Sequence, residues 1–305
     1  RFGQRTMAQL LQDPQQSHAP AHPLSQLSRR PSRTWRWIPE RWYVHLGLWL
    51  ACLVLGFPVL YALIVSTQNN AEVFRYQFTL GSSFGFNWQQ VMVSRHLGSY
   101  MLNSTLVAVA ITVGKTVFSL LAGLAFVYFR FPGKWLVFGF VLITLMMPTE
   151  ILILALLRFV TNLGWGSTYY ALIVPFLASA TATFLFRQHF SNIPGELAEA
   201  AQLDGANPLQ FLTQVLIPLS WNAIGAQAVI HFVYAWNMYL WPRLIIQGRE
   251  RQVVQVGLQS LLNLDSSASY GPMMLGAVIA SIPPVIVFIA LQKPFMSGFA
   301  LSRDK

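Results

Sequence analysis

The sequence predicts an all-α, polytopic membrane protein with six transmembrane helices, and three observations predict it. Hydrophobic residues make up 54% of the 305 positions and charged residues only 10%, where soluble domains carry about 25% charged residues. Apolar runs repeatedly approach the roughly 20 residues that a helix needs to cross a bilayer. Lysine and arginine flank those runs instead of forming a stripe interleaved with aromatics. The net charge of +10 therefore speaks against a nucleic-acid partner and for membrane lipid.

Residues 1–41 are rich in Gln, Pro, Ser and Arg and cannot bury a core. They are expected to be a disordered basic tail, with the Arg29–Arg41 cluster near the membrane surface. They contain no apolar stretch that would serve as a cleavable signal. A first span is expected at about 44–66, interrupted by Gly56 and Pro58. Residues 67–98 form a polar and aromatic loop with short surface helices. The second span runs about 100–129 and closes in the tight turn Arg130-Phe131-Pro132-Gly133-Lys134. The third, fourth, fifth and sixth follow at about 135–157, 168–187, 219–246 and 272–292, with a short C-terminus at 301–305. The single cysteine, Cys52, excludes an intrachain disulfide and a cysteine-rich metal site.

Between the fourth and fifth spans lies a stretch of different character, Pro194 to Pro218. Glu196, Glu199 and Asp204 are three of only ten acidic residues in the chain. Ser191 or Asn192 is expected to cap a first short helix, with Pro194 in its first turn and the two glutamates near the positive end of its dipole. Asp204-Gly205 then stops that helix, and Asn207-Pro208 reads as the cap and first position of a second. The result is a helix–turn–helix elbow over 192–218.

Orientation follows from charge. With the N-terminus in the cytoplasm, thirteen of the 20 lysines and arginines fall on that side and six on the other, with Lys115 inside a span. The positive-inside rule then puts both termini and the elbow in the cytoplasm.

The elbow's residues also carry a resemblance. Glu199-Ala200-Ala201, then Gly205 after three residues, then Val215-Leu216-Ile217-Pro218 after nine more, resembles the EAA loop of ABC importer permeases. Asp204, Ala206 and Phe211 fit it too, while Val215 and Ile217 stand where the family has isoleucine and leucine. Over residues 42–300 the chain is similar to the carbohydrate-uptake type, of which the smaller maltose permease subunit is one. It is most similar to glycerol-3-phosphate permeases that pair with a second, different permease. Phe129–Pro132, Leu142–Glu150, Ala178–Gln188, Trp236–Pro242 and Gln292–Gly298 carry that likeness.

The resemblance implies an inner-membrane subunit that is no enzyme. Its implied partners are a second homologous permease, two ATPase subunits and an extracytoplasmic substrate-binding protein. It also implies that this chain holds no cofactor, ATP and magnesium being bound by the ATPases, which Glu199, Ala200, Ala201, Asp204, Gly205 and Ala206 would engage. The implied cargo is glycerol-3-phosphate or a glycerophosphodiester, with a sugar or oligosaccharide as the alternative. An ion-coupled secondary transporter is the more distant one.

The residues themselves offer no P-loop for ATP. Gly114-Lys115-Thr116 looks like the end of a P-loop, but Val109 stands where the first glycine is required. Lys115 matters as a charge inside a span, as does Glu150 at similar depth. Each costs at least about 2.5–3.5 kcal/mol near the bilayer centre unless paired or hydrated. Two readings stand: a buried Lys115–Glu150 pair that fixes packing, or groups along a substrate path where Lys115 attracts phosphate. Met146-Met147-Pro148 is expected to kink the third span. Trp236, Asn237 and Tyr239 offer polar and aromatic groups for a hydroxylated ligand. The histidines show no metal-ligand spacing.

Overall fold

The computed structural model describes residues 42–264 and 267–300. The tail 1–41 and the C-terminus 301–305 lie outside the described residues. The chain divides into two compact units, residues 1–53 and 54–305. In the first unit, the described residues Trp42 to Leu53 are helical and exposed.

Helix α1 (Trp42–Val65) runs through Gly56 and Pro58 without a break. The expected interruption is therefore corrected, since one proline removes only one bond of a long ladder. The loop that follows holds α2 (Asn70–Phe74), α3 (Phe84–Trp88) and a π-turn at Gln89–Ser94. Asn69 and Glu72 close a reciprocal capping box on α2, the arrangement that satisfies two orphan N–H groups at once. The Asn87 amide donates to the carbonyls of Ser66 and Gln68, and Gln68 donates to those of Gln77 and Thr79. The short surface helices expected at 67–98 are thus pinned by amide side chains.

Helix α4 (Leu97–Tyr128) is the central rod, close to the expected 100–129. It packs on α8 and α12. Helices α5 (Lys134–Leu145) and α6 (Thr149–Asn162) divide the expected third span at Met146–Pro148, where Pro148 starts α6 without an N–H to offer. The fourth span also divides. Helix α7 (Tyr169–Ile173) continues as a 3₁₀ turn at Val174–Phe176 before α8 (Ala180–Ser191), with a bend of 40°. Ser179 supplies the reason, its hydroxyl accepting from the Ala182 N–H to cap α8. Arg187 of α8 lies 4.4 Å from the Phe138 ring centroid and ties α8 to α5.

After the elbow helices α9 (Gly195–Leu203), α10 (Pro208–Phe211) and α11 (Ile217–Leu219), the chain turns by 83° into α12 (Trp221–Trp236). A π-turn at Leu212–Leu216 joins α10 to α11. The fifth span was expected as one element over 219–246; the structure ends it at Trp236 and resumes as α13 (Leu240–Ile245). The Asn237 amide caps that end by donating back to the Val233 carbonyl at 2.9 Å. Helix α14 (Val254–Leu262) and a two-residue pairing, β1 (Asn263–Leu264) with β2 (Ser267–Ala268), lead to α15 (Tyr270–Ala300). That last helix is longer than the expected 272–292 and carries Pro283, Pro284 and Pro294 within it.

Among the described residues three helices are individually long and apolar enough to cross a bilayer: α1, α4 and α15. Counting the bent pairs α7–α8 and α10–α12 as one span each brings the number to five, and α5 and α6 are shorter apolar helices. The main core lies between α4, α12, α14 and α15, around Val107, Ala108, Ile111, Phe232, Trp236 and Leu261. Glycines allow close crossing: a Cβ on Gly257 would run into the Tyr100 ring, and one on Gly225 into Pro294. A second cluster, with Leu120, Leu124, Phe186, Phe190, Phe211 and Leu216, joins α4 and α8 to the elbow.

Candidate functional site

The elbow is built by local backbone chemistry. Its first helix starts at Gly195 behind Pro194, with Glu196 in the first turn. The expected caps Ser191 and Asn192 are corrected. Both close the preceding α8, donating from their side chains to the carbonyls of Arg187 and Gln188. Short polar side chains satisfy either helix end, and here the nearer carbonyls win.

Asp204 ends α9 and Gly205 takes the left-handed conformation at φ +74. The Ala206 N–H then donates to the Ala201 carbonyl at 2.9 Å, and the Gly205 N–H to that of Gln202 at 3.1 Å. Those two bonds make a Schellman stop, with glycine where an L side chain would be strained. Asn207 caps α10 as expected, and Pro208 takes its first position. Gln210 completes a capping box with Asn207, two bonds of 2.8 and 2.9 Å. The Asn-x-x-Gln spacing is the sequence signal for such a box.

The candidate coupling residues divide by face. Ala201 is half-buried against Leu124, Tyr128 and Phe211, with the Tyr128 and Phe211 rings edge-on at 5.1 Å. Ala206 is half-buried beside it, whereas Glu199, Ala200, Asp204 and Gly205 are exposed. Leu203 was not singled out by the sequence, yet it is 90% exposed at the end of α9, with Leu197 and Leu209 also exposed. One side of the elbow therefore grips the α4–α8 bundle and the other presents carboxylates around bare leucine.

The described intramembrane candidates do not share one cavity. Lys115 is 8% exposed, and its ammonium lies 4.4 Å from the centroid of the Tyr234 ring on α12. A ring face at that distance attracts a cation. Glu150 is the second residue of α6; its side chain, and with it the Lys115–Glu150 pair, lies outside the described residues. Trp236 is 2% exposed, stacks on Phe232 and donates its indole N–H to the Ala280 carbonyl at 3.2 Å. Its ring holds α12 to α15 and lines neither of the two large cavities. His231 and Ser119 are buried on the α12 and α4 faces, and neither the His231 Nε2 nor the Ser119 hydroxyl has a hydrogen-bond partner among the described residues.

Asn237 and Tyr239 do meet, at the break between α12 and α13. Both line an apolar cavity of about 530 Å³ with Ile153, Phe176 and Tyr234. The Asn237 carbonyl oxygen accepts from Gln255 at 3.1 Å, and the Tyr239 hydroxyl donates to Gln259. Gln255 and Gln259 sit one turn apart on α14, so one helix face holds both sides of the break. Neither glutamine was foreseen, though amides at i and i+4 in an apolar run are a signal. Tyr239 and Gln259 also line a second cavity of about 840 Å³, which contains Arg95, Arg243 and Arg249.

Known proteins agree with this architecture. Residues 115–296 match the model of the binding-protein-dependent transport system inner membrane component family. The chain is 39% identical over 264 residues to the sn-glycerol-3-phosphate transport system permease protein UgpE of Agrobacterium fabrum, covering 83% of this chain and 94% of that one. It is 37% identical to the protein of the same name from Salmonella typhi, covering 86% and 96%. A bacterial ABC transporter that imports the acidic polysaccharide alginate has the same fold, with a TM-score of 0.72 at 22% identity over 82% of this chain and 94% of that one.

Proposed function

The chain belongs to the binding-protein-dependent transport system inner membrane component family, and from that membership we infer that it is a permease subunit of an ABC importer for glycerol-3-phosphate. It is a multi-pass inner-membrane protein and not itself an enzyme. The observation that carries the substrate is the 39% identity over 94% of a named glycerol-3-phosphate permease. A glycerophosphodiester shares the same phosphate and glycerol chemistry.

In this reading α5 and α6 together form the third of six spans, the bent pairs form the fourth and fifth, and both termini face the cytoplasm. A second homologous permease supplies the other half of the pathway. An extracytoplasmic binding protein delivers cargo, and two ATPase subunits bind ATP and magnesium. The elbow is their lever: Glu199, Ala200, Asp204 and Gly205 face the ATPase groove with Leu203 at the tip, while Ala201 and Ala206 hold the lever to α4 and α8. ATP-driven closure moves the elbow, and the motion reaches α12 through the 83° turn at Ser220. Lys115 attracts the phosphate on its way past Asn237 and Tyr239, and Trp236 supports that wall from behind.

The test is uptake of labelled sn-glycerol 3-phosphate into vesicles containing the assembled importer and its binding protein. Uptake that requires ATP inside the cytoplasmic compartment supports the reading. Uptake driven by an ion gradient alone would indicate a secondary transporter, and transport of a sugar but not the phosphate ester would replace the substrate.

A further inference from the structure

The larger cavity has a different chemistry from the apolar one. Its volume is about 840 Å³, and among the described residues its charged lining is Arg95, Arg243 and Arg249 against one carboxylate, Glu250, with His96 also in the lining. The three arginines arrive from separate segments: the turn before α4, the last turn of α13, and the loop before α14. Among the described residues none of the three has a side-chain hydrogen bond or ion pair. Arg251, next in sequence to Glu250, is different. It donates to the Ser167 carbonyl at 3.2 Å and lies over the Tyr169 ring at 5.9 Å.

The walls are fixed before any ligand arrives. The Asn103 amide donates to the carbonyls of Glu250 and Gln252 at 2.8 and 3.0 Å, and Tyr169 donates in turn to Asn103. Gln252 donates to the Ile246 carbonyl at 2.8 Å, and the Ser104 hydroxyl accepts from the Val254 N–H at 2.7 Å. The loop carrying Arg249 is therefore held by polar contacts at several points while its guanidinium is left to the cavity.

We propose that this arginine-lined vestibule is an anion-binding antechamber for the phosphate monoester of the cargo, an inference that rests on the importer reading. A phosphate monoester carries between one and two negative charges at neutral pH, and guanidinium forks match its oxygens two at a time. A neutral sugar would need no such lining. In the proposed orientation the vestibule opens to the extracytoplasmic side. Its inner wall is the Tyr239–Gln259 bond, and Tyr239 also lines the apolar cavity, where Tyr234 carries Lys115 on its face. The cationic stations thus run in series: three arginines outside, one lysine within.

The experiment measures binding of three probes (inorganic phosphate, sn-glycerol 3-phosphate and glycerol) to the assembled importer in nanodiscs at low ionic strength, without the binding protein. Wild type should bind the two phosphates and not glycerol. The R95Q/R243Q/R249Q variant, its assembly checked by co-purification of the partner subunits, should weaken phosphate binding by roughly tenfold or more, as expected of a cleft lined by one sign of charge. R251Q removes the same charge at a tied-down position and should leave binding within about twofold. Equal phosphate binding by wild type and the triple variant would overturn the proposal. Phosphate binding at the vestibule in an importer whose uptake proves specific for a neutral sugar would sink the substrate reading and leave the anion site standing.

Discussion

The elbow at 194–218 and the break at 237–239 are both interruptions of apolar helix, yet they are held in opposite ways. The elbow's angle is set within a few residues: main-chain bonds make the Schellman stop at Gly205, and a reciprocal capping box between Asn207 and Gln210 follows it. The break is held across to α14 by side chains, Asn237 to Gln255 and Tyr239 to Gln259. Main-chain bonds of a tight turn cannot exchange without unfolding it, whereas two side-chain bonds can swap partners by rotation. The lever of the proposed function needs the first of those properties.

The sharpest way to break this comparison is at Gly205. No atom lies within 4 Å of a Cβ built there, so Gly205→Val tests backbone conformation alone, at a strain of about 1–2 kcal/mol for a left-handed residue. We expect transport to fall about tenfold or more while ATP hydrolysis continues, which parallel ATPase and uptake assays on proteoliposomes would reveal. Full coupling in that variant would show the lever to be tolerant of its angle.

Lys115→Gln comes next. It removes a buried cation over a ring, a contact worth about 2 kcal/mol when desolvated. A KM for sn-glycerol 3-phosphate raised about tenfold is expected if the ammonium meets substrate. An unchanged KM with lowered thermal stability would make it a packing residue.

Tyr239→Phe and Gln259→Leu each lose one hydrogen bond of about 1 kcal/mol. The double variant should cost no more than either single one. The readout is basal ATPase activity without binding protein, expected to rise about threefold to fivefold as the closed break loosens. The smallest effect belongs to Asn207→Ala, about 1 kcal/mol of local capping. It should appear as faster amide exchange at Gln210 and Phe211, with uptake within about twofold. If N207A uncoupled transport as strongly as the Gly205 variant, the elbow would depend on its second helix more than on its stop.

What was legible in the sequence follows the same divide. Gly205, Asn207 and Pro208 act on backbone groups within a few residues of themselves, so their roles could be read from residue type and order. Apolar length sufficed for α4, and for α1 except at Pro58, which the helix absorbs. Expectation failed where one of several partners had to be chosen. Ser191 and Asn192 bond backward into α8, a choice made by which carbonyls lie nearer. The fifth span could not be seen to end at Trp236, because Asn237 is stabilised there by Gln255, eighteen residues on. Trp236 looked suited to a ligand by type, but its indole N–H is satisfied by Ala280 in another helix. Lys115 was recognised as costly, and only packing shows that its neighbour is Tyr234.

Leu203, 90% exposed at the end of α9, bears on how such a subunit is made. A bare leucine beside two others costs little once covered by a partner, and is a liability before that moment. An orphan copy of this chain carries a standing mark of being unassembled, open to self-association or to proteases that favour exposed apolar residues. Its abundance is therefore expected to follow that of whatever covers the elbow, so that supply of the partner sets the number of complete importers.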